Sequence, residues 1–415
     1  MTNREKLWTP GFLVLWQSQL VSTVGDAVYA IALGFWVLAT TGSTALMGML
    51  MAASTLPGVL VSPFAGVLVD RSNKKRLMIA MDLIRGVAIV LLAAASLLGV
   101  IRIWMVFAAG IVLSLCGAVF TPGVQSSVPD IVPKSKISNA NAAFSVVLTG
   151  ANLIGNAGGG FLYQALGAPM LFLANGLSYL FSGVCLPFVK IPSVRHIEKP
   201  HFWKDMADGF AYMWRLVGLR LILVIAALIN FFSFVAITLI LPYCQFNPHL
   251  GAVAYGVLMA CFMGGAVAGF TALSIFCFKP QHKMAVFIVS NFCCYVFLII
   301  AVNQPNLVVM AVLLVVAGAA NAAMNVLMVS TVQASTPAAL RGKVMSFMRM
   351  TTTGLTPFAM ALAGVLGGFL PLRLIITGAF ACGLLVSLPA YFSKPFRAFL
   401  SAEDLAKACL NAQKA

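Results

Sequence analysis

Long apolar runs joined by short charged turns constrain this chain more than any other feature. The run from Ala45 to Val69 and the one from Leu77 to Gly99 flank a turn holding Arg71, Lys74, Lys75 and Arg76. Each run exceeds the roughly 20 residues that a helix needs to cross the hydrocarbon core of a bilayer. A strongly basic turn between two such spans belongs on the cytoplasmic side. The whole chain is built this way: 61% of its 415 residues are hydrophobic, 9% are charged, and mean hydropathy is +1.00. That excludes an ordinary soluble domain and marks a multi-pass membrane protein.

Followed in order, the runs predict twelve helices with both termini in the cytoplasm. The expected division is an N-terminal six-helix half over residues 1–189, a cytoplasmic linker over 190–220, a C-terminal six-helix half over 221–392 and a tail over 393–415. The first apolar run is long enough to stay as a span, so no cleaved signal is expected. Within the linker, Phe202, Met206, Phe210, Met213 and Trp214 recur at helical spacing among charged residues. This reads as an amphipathic helix on the inner membrane surface. A plain connection between halves explains it more readily than a lateral gate or docking element. The halves repeat: Gln125-Ser126-Ser127-Val128-Pro129 aligns with Gln333-Ala334-Ser335-Thr336-Pro337 at an offset of 208 (333 − 125 = 208), and Gly159-Gly160-Phe161-Leu162 aligns with Gly367-Gly368-Phe369-Leu370 at the same offset. An offset of half the chain predicts two parallel repeats.

A net charge of +16 suggests nucleic acid until the charges are placed. Lys and Arg fall almost entirely in loops and tails on one side, and the far-side loops hold just Arg102 and Arg373. The basic balance therefore reports topology and contact with anionic lipid. No nucleic-acid partner is expected. Most of the nine cysteines fall in apolar spans, with Cys244 expected outside; there is no CxxC and no HExxH. No disulfide framework, metal site or cofactor is expected. A membrane-embedded enzyme would need a cluster of His, Asp, Glu or Ser within the spans, and no such catalytic set is present.

Two acids, Asp26 and Asp82, lie inside predicted spans. Asp26 is ~20 Å along the first helix, near mid-membrane. A lone carboxylate there is costly, so it is expected to be shielded from lipid and to face an aqueous cavity, where it can load and release a proton. Gln19, Ser22, Asp26 and Tyr29 share one helix face. A structural acid bonded to a neighbouring helix is the alternative. Asp82 and Arg85, three apart, are close enough to pair, either as a structural ion pair near the inner interface or as a coupling pair. Arg349 has no local acid and either snorkels to the interface or faces the cavity. Asn152, Asn156, Asn230, Asn321 and Asn325 could line a central cavity with Tyr29, although each could equally serve a helix–helix hydrogen bond.

The residues Gly66, Asp70, Arg71, Lys74 and Lys75 resemble the G-x-x-x-D-R-x-x-[KR]-[KR] loop signature of the major facilitator superfamily, between its second and third helices. Asn73 stands where the turn has glycine; asparagine tolerates a left-handed backbone, so the turn is expected to survive. Lys74 replaces arginine, keeping the charge without the forked geometry. Gly150 to Gly160 is similar to the g-x-x-x-G-P-x-x-G-G signature of drug-exporting facilitators at Gly155, Gly159 and Gly160. Ala151 replaces its first glycine and Asn156 its proline. Ser18 to Ser22 with Gly25-Asp26, Asp82 to Arg85, and Leu340 to Ser346 resemble the subgroup of drug:proton antiporters that holds macrolide-efflux proteins and the enterobactin exporter. The resemblance implies alternating access between two halves, with Gly66, Asp70, Arg71, Lys74, Asp130 and Arg341 as a conformational latch. In it Asp70 faces the helix start near Arg341, and Lys74 with Asp130 is a supporting pair. It further implies a monomer of the bacterial inner membrane that exports a hydrophobic or amphipathic small molecule in exchange for protons carried by Asp26. A lysophospholipid flippase, an uncoupled facilitator and a membrane scaffold are the alternatives.

Overall fold

The computed structural model describes residues 7–133, 136–189, 217–275, 280–336 and 350–392, with residues 214, 344, 345 and 348. The helices are α1 (Pro10–Thr41), α2 (Thr44–Ala53), α3 (Leu56–Arg71), α4 (Lys74–Leu97), α5 (Ile103–Ile131), α6 (Ile137–Cys185), α7 (Val217–Phe246), α8 (Gly251–Ile275), α9 (Pro280–Val302), α10 (Leu307–Ser335), α11 (Thr356–Gly367) and α12 (Leu372–Phe392). Among the described residues, eleven helical stretches are long and apolar enough to cross a membrane. One of them covers 50 residues, about 75 Å of helix and more than twice a bilayer core. Its backbone leaves helical geometry at Gly167 (φ 74°, ψ 167°), two residues before Pro169. A left-handed φ of this kind suits glycine, and proline cannot continue the hydrogen-bond ladder. The stretch is thus two spans meeting at a tight bend, which brings the crossings to twelve.

Some elements differ from the sequence expectation. The second apolar run is not one helix: α2 stops at Ala53 and α3 starts at Leu56, followed by Pro57. Inside a membrane the freed backbone groups need partners. Ser114 Oγ of α5 accepts the Gly58 N–H at 2.9 Å, and the Thr55 hydroxyl donates to the Met51 and Ala52 carbonyls. In the basic turn, α3 runs through Arg71, leaving Ser72 and Asn73 between helices. Asn73 is extended (φ −72°, ψ 101°), not left-handed, because its side chain caps α4 by accepting the Arg76 N–H at 3.1 Å. Asp130 and Cys244, expected outside helices, lie in the last turns of α5 and α7, and Cys244 is fully buried.

The chain divides into two compact units: Met1–Pro200 with Gly251–Gly256, and His201–Leu250 with Val257–Ala415. The linker proper, with residues 190–213, lies outside the described residues, as does the tail beyond 392. In the first unit Leu15, Met78, Phe120, Val124, Leu186 and Val189 form a buried apolar cluster. In the second, Ile222, Phe287, Met324, Leu327, Val344 and Met348 are among the residues that do so. Large apolar side chains such as Leu98, Phe188 and Phe369 stand on the outside, where lipid rather than water is the matching solvent.

Candidate functional site

The first unit buries its charges where three helices are drawn together by small residues. A methyl group on Gly25 of α1 would fall 2.6 Å from Asn175 Oδ1 and 2.8 Å from Ser178 Oγ of α6. On the other side of α6, a methyl on Gly86 of α4 would lie 2.6 Å from Leu180, and one on Gly176 would lie 2.7 Å from Val90. Further along, methyls on Gly155 and Gly159 would meet Ala27 at 2.2 Å and Ile31 at 3.0 Å. The glycine-rich stretch is therefore a contact face for α1 at Ala27 and Ile31, just past Asp26, while Gly25 admits the later part of α6 just before it. Close backbone approach of this kind is how small residues hold helices together in lipid.

In the space so formed, Tyr179 of α6 donates its hydroxyl to Asp26 Oδ1, and the Asn175 carboxamide lies 3.5 Å from the same oxygen. Asp26 is half-buried, whereas Asn175 and Tyr179 are buried. The Arg85 guanidinium stacks between Phe120 of α5 and Tyr179, 4.3 Å from each ring centroid. Its charge is paired with Asp82 one turn earlier on α4, and Ser182 donates to the other Asp82 oxygen at 2.6 Å. Asp82 is fully buried and Arg85 nearly so, at 0% and 5% exposed. The chain of contacts runs Asp26, Tyr179, Arg85, Asp82, Ser182. Among the described residues the ion pairs are Arg85–Asp82 and Lys74–Asp130, so Asp26 has no cation within 4.0 Å.

Tyr179, Asn175 and Ser182 were not singled out from the sequence. The signal was present: Asn175, Ser178, Tyr179 and Ser182 follow the i, i+3, i+4, i+7 pattern of one helix face within an apolar run. Of the predicted stripe on α1, Ser22 bonds to the Ser18 carbonyl at 3.0 Å, and Tyr29 packs on Phe172 at 5.2 Å between centroids. The Tyr29 hydroxyl and the Gln19 amide nitrogen are buried without a partner. Asn152, Asn156, Asn230 and Asn325 each donate to the carbonyl four residues earlier in their own helix, at 2.8–2.9 Å. Asn321 accepts from Asn325 at 3.1 Å. Asn152, Asn156, Asn230 and Asn325 thus use their amides within their own helices, while Asn321 also bonds to Cys294.

At the start of α4, Lys74 Nζ lies 3.0 Å from Asp130 Oδ2 and 3.1 Å from the Ser126 carbonyl, tying α4 to the end of α5. Of Gly66, Asp70 and Arg71 only the helical backbone is described, and Arg341 and Arg349 lie outside the described residues. In the second unit, Asn291 of α9 is fully buried and accepts from Ser387 at 2.9 Å and Tyr391 at 2.6 Å on α12. Asn291 and Tyr391 are one hundred residues apart, as Asp82 and Ser182 are. The two units thus carry a charged and a neutral version of one helix-pair junction. No group of three His, Cys, Asp or Glu side chains placed to hold a metal ion exists among the described residues.

The family model for transmembrane secretion effectors matches residues 6–414, nearly the entire chain. The chain belongs to this family of the major facilitator superfamily. It is similar to macrolide efflux protein A of Streptococcus pyogenes, 24% identical over 274 residues that cover 65% of this chain and 67% of the relative. Multidrug efflux pump Tap of Mycobacterium tuberculosis is 22% identical over 369 residues, covering 86% and 87%. In fold it resembles a bacterial homologue of the human lysosomal transporter Spinster, with TM-score 0.65, 15% identity and coverage of 96% and 97%. Members of the superfamily are multi-pass membrane transporters and not enzymes, and the helical spans described above are of that kind.

Proposed function

We propose that the chain exports hydrophobic or amphipathic small molecules of the macrolide or multidrug class, by alternating access and in exchange for protons, with Asp26 as the proton carrier. One observation carries the reading. Asp26 is a half-buried carboxylate in an apolar span, held by a hydroxyl and a carboxamide and, among the described residues, by no cation within 4.0 Å. An acid so placed is stabilised in either state by neutral donors and is free to exchange its proton with water or a bound ligand. The likeness to a macrolide efflux protein and a multidrug efflux pump supports export and the substrate class.

On this reading the basic turn is the latch. Lys74 with Asp130 anchors it within the first unit, while Gly66, Asp70 and Arg71 engage the region of Arg341 in one state of the cycle. A carboxylate facing a helix N-terminus is favourable by ~0.3–1 kcal/mol, which suits a contact made and broken in each cycle. The protein works as a monomer in the bacterial cytoplasmic membrane, with both termini inside and lipid around its apolar faces. The test is macrolide uptake into inverted membrane vesicles driven by an imposed pH gradient. Asp26→Asn should abolish the gradient-driven component while the protein inserts and melts as the parent does. Undiminished gradient-driven uptake in that variant would refute the proton-carrier role.

A further inference from the structure

Asp26 does not stand alone, and its neighbours limit how it can behave. Two acids, Asp26 and Asp82, share one arginine in the first unit, so full ionisation would leave one negative charge uncompensated in an apolar interior. Asp82 is fully buried and bonded to Arg85, whereas Asp26 is half-buried. The Tyr179 side chain contacts both, its hydroxyl on Asp26 and its ring face on the guanidinium. Arg85 also retains one buried donor, Nε, without an acceptor. A buried arginine with a spare N–H has the capacity to bond a second carboxylate.

We propose that Asp26, Arg85 and Asp82 form a three-charge cluster holding one exchangeable proton, and that Tyr179 is the positioning residue that keeps Arg85 on Asp82. This rests on Asp26 being the proton carrier. With the proton on Asp26, the cluster is neutral and Arg85 serves Asp82. When Asp26 releases its proton to water, Tyr179 donates to the new carboxylate and its ring separates that carboxylate from Arg85. A direct Asp26–Arg85 pair would hold Asp26 ionised and stop the exchange. The other titratable groups near these residues are Tyr29 on α1 and Cys116 on α5, while α2 contributes none.

The test needs no transport substrate. Infrared difference spectra of the purified full-length protein, taken across a pH series, read the C=O stretch of a protonated carboxyl group. The parent should show one such buried band, absent in Asp26→Asn and present in Asp82→Asn. In Asp82→Asn the freed Arg85 turns to Asp26, and the pH profile of the band should move in the acid direction by about one unit or more. Tyr179→Phe keeps the ring and removes the donor, so its band should change frequency and its profile should move in the alkaline direction. A band that survives Asp26→Asn and vanishes in Asp82→Asn would overturn the assignment. Parent-like profiles in both Asp82→Asn and Tyr179→Phe would overturn the positioning role. Should Asp82→Asn fail to fold, Tyr179→Leu, which removes the ring as well, decides that role: its profile should move in the acid direction as Arg85 reaches Asp26, and a profile like that of Tyr179→Phe would overturn it. If the band behaves as expected but pH gradients drive no macrolide uptake, the export reading fails and the cluster stands.

Discussion

Asp82 and Arg85 illustrate what a buried ion pair asks of its surroundings. Their mutual attraction compensates for lost hydration while both are present, and the Ser182 hydroxyl satisfies the remaining carboxylate oxygen. Removing one partner leaves an uncompensated charge, a loss of about 3–5 kcal/mol in comparable sites. Asp82→Ala should therefore lower the melting temperature in detergent more than Ser182→Ala, which removes one hydrogen bond worth about 1.5–3 kcal/mol to a charged group. Equal effects from the two variants would show that Asp82 is not buried with Arg85 as described. The acids of this site were legible in the sequence because charge inside an apolar run is costly and rare. Tyr179 was not, since a tyrosine in such a run reads first as packing; its partner is 153 residues away.

The helices were readable at the level of existence, and their ends and breaks were not. Apolar length predicts a span without saying how the backbone is satisfied along it. The break between α2 and α3 depends on Ser114, which reaches Gly58 from a different helix 56 residues on. Ser114→Ala should leave the Gly58 N–H unsatisfied and destabilise the protein by about 1–3 kcal/mol. Hydrogen exchange measured around residues 54–59 should rise with it; unchanged exchange there would show that the N–H is satisfied otherwise. The basic turn is a similar case. Asparagine in place of glycine keeps the turn, as expected, but through a side-chain cap on α4 with an extended backbone and not through a left-handed one.

At the scale of the whole molecule, two compact units carry related junctions of unlike charge. Short matches 208 residues apart made the repeat legible, and the pairing of α4 with α6 and of α9 with α12 gives it structural content. Asn291 has no arginine beside it in the described bonds, and its neighbours are Ser387, Tyr391 and Met324. Asn291→Asp should thus destabilise the second unit by several kcal/mol, and less at acid pH where the new carboxyl can stay protonated. A melting temperature equal to the parent's at alkaline pH would contradict that. Among the described residues the fully buried ion pair lies in the first unit beside Asp26, and on the proposal above Asp26 carries the exchangeable proton. The most direct test is proton release from the purified protein, in weakly buffered detergent, on adding erythromycin as a macrolide probe. The account predicts release in the parent and none in Asp26→Asn; binding without release in the parent, or equal release in both, would contradict it.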